Sequence, residues 1–346
     1  MNVLPRVLID DTPWSARREE LLDLLRREEY GYFPKEALSV TFKEGGTDGG
    51  FCAGKANTTR IEAQIQLDTG VFTFPFRITA PKGEGPHPFF VYIAFSDAMS
   101  DKYLPTEEII DRGFAVLHFC YNDVTADKID NDPRYDSRIF DLLFDGPAPK
   151  DGCGTIAVWA WAASRVMDYA VTRKDLDLTR AGVLGHSRLG KTALLAGATD
   201  TRFTHVFSND SGCSGAAITR DKEGERIAEI TKTFPYWFCE NYHAYAGREE
   251  ELPFDQHFLL AAIAPRKVYV GSAVGDIWAD PKSEFRACVA ASQVYEALGL
   301  TGLVAPDRLP EVGDTFHAGN VGYHLRAGTH YLSREDWGHY MDYLAR

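Results

Sequence analysis

The sequence predicts an α/β protein: a mostly parallel central sheet with helices on both faces and an antiparallel N-terminal hairpin. Three observations carry this. From residue 88 onward, short apolar runs alternate with helix-length segments, the form taken by successive strand–helix units. Within that series, residues 89–95 (FFVYIAF) are continuously apolar, as expected of a strand covered on both faces. Ahead of it, residues 59–67 and 71–79 are period-2 runs separated by Asp68-Thr69-Gly70, which reads as a hairpin.

The elements follow in order. Leu21, Leu22, Leu24 and Leu25 among charged neighbours make 14–30 an amphipathic helix, stopped by Gly31 and Pro34. After the hairpin and the strand at 89–95 come a helix at 106–112 and a strand at 114–120. Then follow an apolar helix at 155–171 with Trp159 and Trp161, a short strand at 181–184, a helix at 189–198 and a strand at 203–208. Strand 267–272, helix 283–298, strand 321–325 and helix 336–345 close the series. One domain is expected over 1–346, with 1–85 as N-terminal helix and edge hairpin and 86–346 as core. The stretches 121–153 and 209–262 are too long for simple connections and are expected to build or cover a site.

Composition narrows the function classes. Of 346 residues, 45% are hydrophobic and 25% charged, which are ordinary globular values. A net charge of −13 disfavours nucleic acid and anionic membrane as partners, because both call for concentrated positive charge. The six cysteines are widely spaced, with no C-x-x-C or zinc-like Cys/His cluster, so free thiols and no metal are expected. No run of 18 apolar residues and no apolar leader after Met1 are present, so the expected location is the cytoplasm.

The sharpest local signal is Gly185-His186-Ser187-Arg188-Leu189-Gly190-Lys191, which follows an apolar strand and opens a helix. A serine on such a turn exposes its hydroxyl at the carboxyl edge of a parallel sheet, where helix N-terminal N–H groups can hold developing negative charge. The alternative is a serine that merely caps the helix. The usual elbow is G-x-S-x-G; here the second glycine comes one position late. A serine nucleophile needs a general base and an acid to orient it, in the chain order Ser, acid, His. His330, directly after the last strand, is the expected base. His324 is expected to pack within that strand, and His339 to face solvent. For the acid two residues stand open: Asp276, after strand 267–272, is preferred, and Asp210, after strand 203–208, is the alternative. Asp280, before Pro281, is expected to cap the next helix.

At GHSRLGK, NDSGCSG, FPYWFCENY, GDIWADP and GTH the chain resembles the glucuronoyl esterases and acetyl-xylan-esterase-like proteins of the α/β-hydrolase fold, from about residue 85 onward. That family carries a G-C-S-R-x-G-K elbow, which matches the late glycine, with His186 in place of its cysteine. The resemblance implies Ser187 as nucleophile, Arg188 as oxyanion support and Lys191 as a donor to sugar hydroxyls. It places the acid at either Asp210 or Asp276 and so leaves both open. It implies a carbohydrate ester as substrate, a uronic acid alkyl ester or an acetylated xylan sugar, and no cofactor. No His-Gly-Gly-Gly follows strand 89–95, where Ser96-Asp97-Ala98-Met99 stands, so Arg188 is expected to supply what that motif provides elsewhere. Trp278 and Trp237 are expected to line the sugar pocket.

Overall fold

A computed structural model of the chain describes residues 3–98, 101–127 and 138–346. Parts of two expectations, Met99 in the loop after strand 89–95 and 128–137 within the stretch 121–153, lie outside the described residues.

Among the described residues ten strands form one sheet. They are β1 (Ser39–Asp48), β2 (Ala56–Leu67), β3 (Gly70–Pro81), β4 (His87–Ala94), β5 (Ala115–Cys120), β6 (Leu176–His186), β7 (His205–Asn209), β8 (Lys267–Ala273), β9 (Thr315–Phe316) and β10 (Val321–Arg326). Their order is β1-β2-β3-β5-β4-β6-β7-β8-β10-β9. The six strands from β5 to β10 in that order are mutually parallel, while β1, β2, β3 and β9 are antiparallel additions at the two edges.

The expected hairpin pairs Leu67 with Gly70 and runs back to Ala56 opposite Pro81. The strand β1 was not anticipated. Its Lys43–Asp48 half is polar and exposed, and its pairing slips between Glu44 and Thr47, so no alternation survives to be read. The first helix, α1 (Trp14–Leu25), widens into a π-helical turn over Arg26–Tyr30 and ends at Gly31, whose φ of 83° suits glycine. A β-carbon there would lie 2.2 Å from the Gly152 carbonyl oxygen.

The remaining helices are α2 (Thr106–Asp111), α3 (Arg138–Leu143), α4 (Thr155–Ala170), α5 (Arg188–Thr199), α6 (Ile227–Thr233), α7 (His257–Ala261), α8 (Pro281–Ala297) and α9 (Arg334–Leu344). Asp280 caps α8 as expected, its side chain accepting from the Ser283 N–H. The apolar run of β4 shows why both faces must be covered. Phe89, Val91 and Ile93 join the core under α1, α4, α5 and α8, and Phe90, Tyr92 and Ala94 join the core under α2 and α9. Each of the phenylalanine, valine and isoleucine side chains contributes about 1.5–3 kcal/mol when fully buried. All six cysteines are free thiols, five of them buried. Among the described residues no helix is long and apolar enough to cross a membrane.

Candidate active site

β6 ends at His186 and α5 begins at Arg188, so Ser187 makes the whole turn. Its backbone sits at φ 59°, ψ −127°, a region that costs a non-glycine residue about 1–3 kcal/mol. The Ser187 N–H donates to the Asn209 carbonyl of β7 at 2.9 Å, which helps hold the strained turn. Gly185 is required by close approach, since a β-carbon would lie 1.9 Å from the Leu189 carbonyl oxygen. The late glycine has its own reason. A β-carbon on Gly190 would stand 3.0 Å from Ser211 Cβ and 3.1 Å from Ser208 Oγ, so it lets α5 pack onto the end of β7. The Ser187 side chain makes no capping hydrogen bond, which sets aside the simple N-cap. The first turn of α5 presents backbone N–H groups without intrahelical acceptors at this point.

The loops after β8 and β10 are stapled together. The Val274 N–H donates to Arg326 O at 2.9 Å and the Gly275 N–H to Gly328 O at 2.8 Å. Gly275 permits this contact, because a β-carbon would come within 2.6 Å of the Gly328 oxygen. The result is that His330 Nδ1 and Asp276 Oδ2 meet at 2.5 Å. Asp276 also accepts from the Ala279 N–H at 3.3 Å. Burial pushes the Asp276 carboxyl up, but the hydrogen bond and charge of His330 outweigh it and hold the group below its ordinary value. With Nδ1 so occupied, Nε2 is the nitrogen left to act as a base. The half-exposed His330 ring lies 4.5 Å from the ring of His186, the neighbour of Ser187.

Asp210 is close as well: Asp210, Asp276 and His330 each bring an atom within 4.8 Å of the others. Its oxygens are committed elsewhere, Oδ1 to the Ala273 N–H at 2.8 Å and Oδ2 to Arg326 Nη2 at 3.2 Å. Burial first, then the charge of Glu284, push its carboxyl well above the ordinary range. Of the two candidate acids, Asp276 is the one hydrogen-bonded to His330. Positive charge at this cluster already comes from Arg326.

Arg326 was missed in the sequence. Its Nε donates to both oxygens of Asp336 at 2.9 and 2.8 Å, and Nη2 bridges to Asp210. Its remaining donors take the carbonyls of Ala327, Thr329 and Tyr331, the last two on either side of His330. Nothing in an arginine at the end of an apolar strand signals this. His324 packs as expected, buried, with Nε2 against Asp336 Oδ1 at 2.8 Å. His339 differs from expectation. It is half-buried, its ring 4.5 Å from that of His324, because α9 folds back over β10. His186, in the position of the family's cysteine, is buried with Nδ1 on Asn209 Oδ1 at 2.6 Å. Burial, then the charge of His330, lower its pKa to about 3, so it remains neutral beneath the site.

Arg188 is partly buried and paired with Asp127, a residue in the stretch 121–153 that the sequence did not single out. Asp127 also accepts from Trp237 Nε1 at 2.7 Å and Tyr236 Oη at 3.1 Å. Trp237 therefore departs from the expected pocket lining. It is buried, stacked on Phe234 at 3.7 Å between centroids, and lies against the Arg188 guanidinium rather than on an open wall. Lys191 departs too: it is only 4% exposed, and its ammonium donates to the Ser211 carbonyl, because the first turn of α5 packs inward against the loop after β7. Trp278, 57% exposed two residues after Asp276, is the predicted aromatic that stands open at the rim.

A parallel sheet with a strained serine at a strand-to-helix turn, and a His–Asp pair on the loops of two later strands, defines an α/β-hydrolase fold. A family model described as glucuronyl esterase of fungi matches residues 63–299, and the chain belongs to that family. It is 43% identical over 238 residues to carbohydrate esterase MZ0003 from an unknown prokaryotic organism, covering 68% of this chain and 54% of that one. It is 29% identical to a 4-O-methyl-glucuronoyl methylesterase of Podospora anserina, covering 83% and 56%. A glucuronoyl esterase structure from Solibacter usitatus superimposes with a TM-score of 0.89 at 31% identity, covering 100% of this chain and 98% of that one. The chain spans little more than half the length of the first two relatives.

Proposed function

We propose that the chain is a serine-dependent carbohydrate ester hydrolase whose substrate is an alkyl ester of a uronic acid such as 4-O-methyl-glucuronate. The observation that carries this reading is the His330–Asp276 hydrogen bond, set one ring contact away from the residue preceding Ser187. The named activities of the relatives support the substrate class. In this reading Ser187 Oγ attacks the ester carbonyl carbon while His330 Nε2 takes its proton. Asp276 keeps Nδ1 protonated and balances the imidazolium. Negative charge on the carbonyl oxygen is held by the first-turn N–H groups of α5 and by Arg188. His330 returns the proton to the departing alkoxide, leaving a uronoyl ester on Ser187. It then takes a proton from water, whose oxygen attacks that ester, and the acid leaves as Ser187 regains its hydrogen. Trp278 offers a ring face to the sugar beside the acid loop.

The test is hydrolysis of a methyl glucuronate glycoside beside an acetylated xylo-oligosaccharide, by the parent protein and by Ser187→Ala. Turnover of the uronate ester that vanishes in the variant is expected. Acetate release alone would move the substrate to acetylated sugars, and turnover that survives Ser187→Ala would sink the mechanism.

A further inference from the structure

Arg188 is the cation that the reaction above places at the oxyanion, yet its surroundings are not those of a free cation. Asp127, whose side chain is almost wholly buried, takes Arg188 Nη1 on Oδ2 and both Trp237 Nε1 and Tyr236 Oη on Oδ1. Three donors converge on one carboxylate, so its position is set by two aromatic residues from the stretch 209–262. The guanidinium is fenced in as well, with its central carbon 4.8 Å from the Trp237 ring centroid, 5.3 Å from Phe234 and 6.0 Å from Phe95. Its Nε is buried and has no hydrogen-bond partner among the described residues, and the pairing of Nη1 with Asp127 cancels the net charge.

That arrangement separates two anions that a uronate esterase must handle differently. The oxyanion of the tetrahedral intermediate is tethered covalently to Ser187 and shares the N–H groups of α5. It can therefore use the hydrogen bonds of a neutralised arginine. The product carboxylate is held only by non-covalent attraction. A free guanidinium would grip it as a bidentate ion pair, whereas Asp127 confronts it with a like charge across that same guanidinium. We infer that Asp127 is a specificity-determining positioning residue. It holds Arg188 in place and cancels its charge, so that the pocket takes a neutral uronate ester and sheds the anionic acid. The inference rests on the uronate-ester reading above.

The experiment compares binding of the methyl glycoside of glucuronic acid with binding of its methyl ester, by calorimetry, in Ser187→Ala protein with and without Asp127→Asn. Loss of the carboxylate should tighten the acid relative to the ester by about tenfold, equivalent to about 1.4 kcal/mol. The gain should shrink with added salt. Asp127→Glu, which keeps the charge, should retain the parent ratio. A purely structural role would alter both ligands together, and an acid-to-ester ratio within about twofold of the parent would overturn the inference. Should Asp127→Asn not fold, Asp127→Ser removes the same charge and is read the same way. Hydrolysis of the methyl ester by protein with Ser187 intact is measured alongside. Turnover with an unchanged ratio refutes the role of Asp127 alone, whereas no turnover refutes the reading beneath it.

Discussion

Replacing Arg326 by Met tests whether one buried cation holds the site's loops in place. The change keeps an unbranched side chain of similar reach but deletes the charge and all its donors. Asp210 would then be buried without its arginine and Asp336 left with His324 alone, and the carbonyls of Ala327, Thr329 and Tyr331 would lose their common donor. Removing one partner of a buried ion pair costs about 3–5 kcal/mol, a large share of the roughly 5–15 kcal/mol that keeps a protein folded. Urea unfolding followed by tryptophan fluorescence should show the midpoint falling at constant slope. The pH dependence has a definite sign. In the parent, burial pushes Asp336 up, but His324 and Arg326 overcome this and hold it at about 2. Its stabilisation is therefore present above the unfolded carboxylate range and lost as pH falls through about 2. Without Arg326 both carboxyls titrate higher. The variant's deficit should be greatest above neutrality and shrink as the pH is lowered and the two groups take up protons. Because the loop carrying His330 loses its carbonyl anchors, kcat on the methyl uronate should fall by about 10–100-fold. A stability loss below about 1 kcal/mol, or a deficit that does not vary with pH, would refute the reasoning.

Three further outcomes are expected. Ser187→Gly should abolish hydrolysis yet raise the unfolding free energy by about 1 kcal/mol, because glycine relieves the strain at φ 59°; a destabilised variant would show the turn to be unstrained. Asp276→Asn should lower kcat by about 10²–10⁴-fold with little change in KM, through loss of the tautomer that the carboxylate imposes; Asp210→Asn matching that kinetic loss in a fully folded protein would return the role to Asp210. His118 is buried with no hydrogen-bond partner on either nitrogen among the described residues, and burial lowers its pKa to about 4. Below about pH 6.5 only the unfolded chain then takes up that proton, so His118→Phe should flatten a loss of up to about 3 kcal/mol between pH 6.5 and 4. Parallel pH–stability curves for the two proteins would contradict this.

Much of the fold was legible because its signals are local. The hairpin was visible in the alternation around Asp68-Thr69-Gly70, the buried strand β4 in FFVYIAF, and the turn at Ser187 in its two glycines. Where the local signal fails, so does the reading. β1 is half exposed with two glycines at its irregularity, and α6 and α7 are too short to show a period. The site was legible in its residue types but not in their pairings. Asp276 and Asp210 each follow a strand, and no spacing distinguishes them. His330 meets Asp276 because Gly275 and Gly328 let two loops from parallel neighbours touch.

What the sequence alone determined about this protein is the order of its main strands and helices, without β1, β9, α3, α6 and α7, and a serine, a histidine and two aspartates at carboxyl-edge positions. Periodicity and backbone constraint act over a few residues and leave their mark there. Tertiary structure alone decided which aspartate takes the histidine, that Lys191 turns inward, that Trp237 backs Arg188, and that Asp127 and Arg326 hold the site's charges. Those are contacts between residues as much as 116 positions apart, set by the packing of separate segments, and no local pattern encodes them.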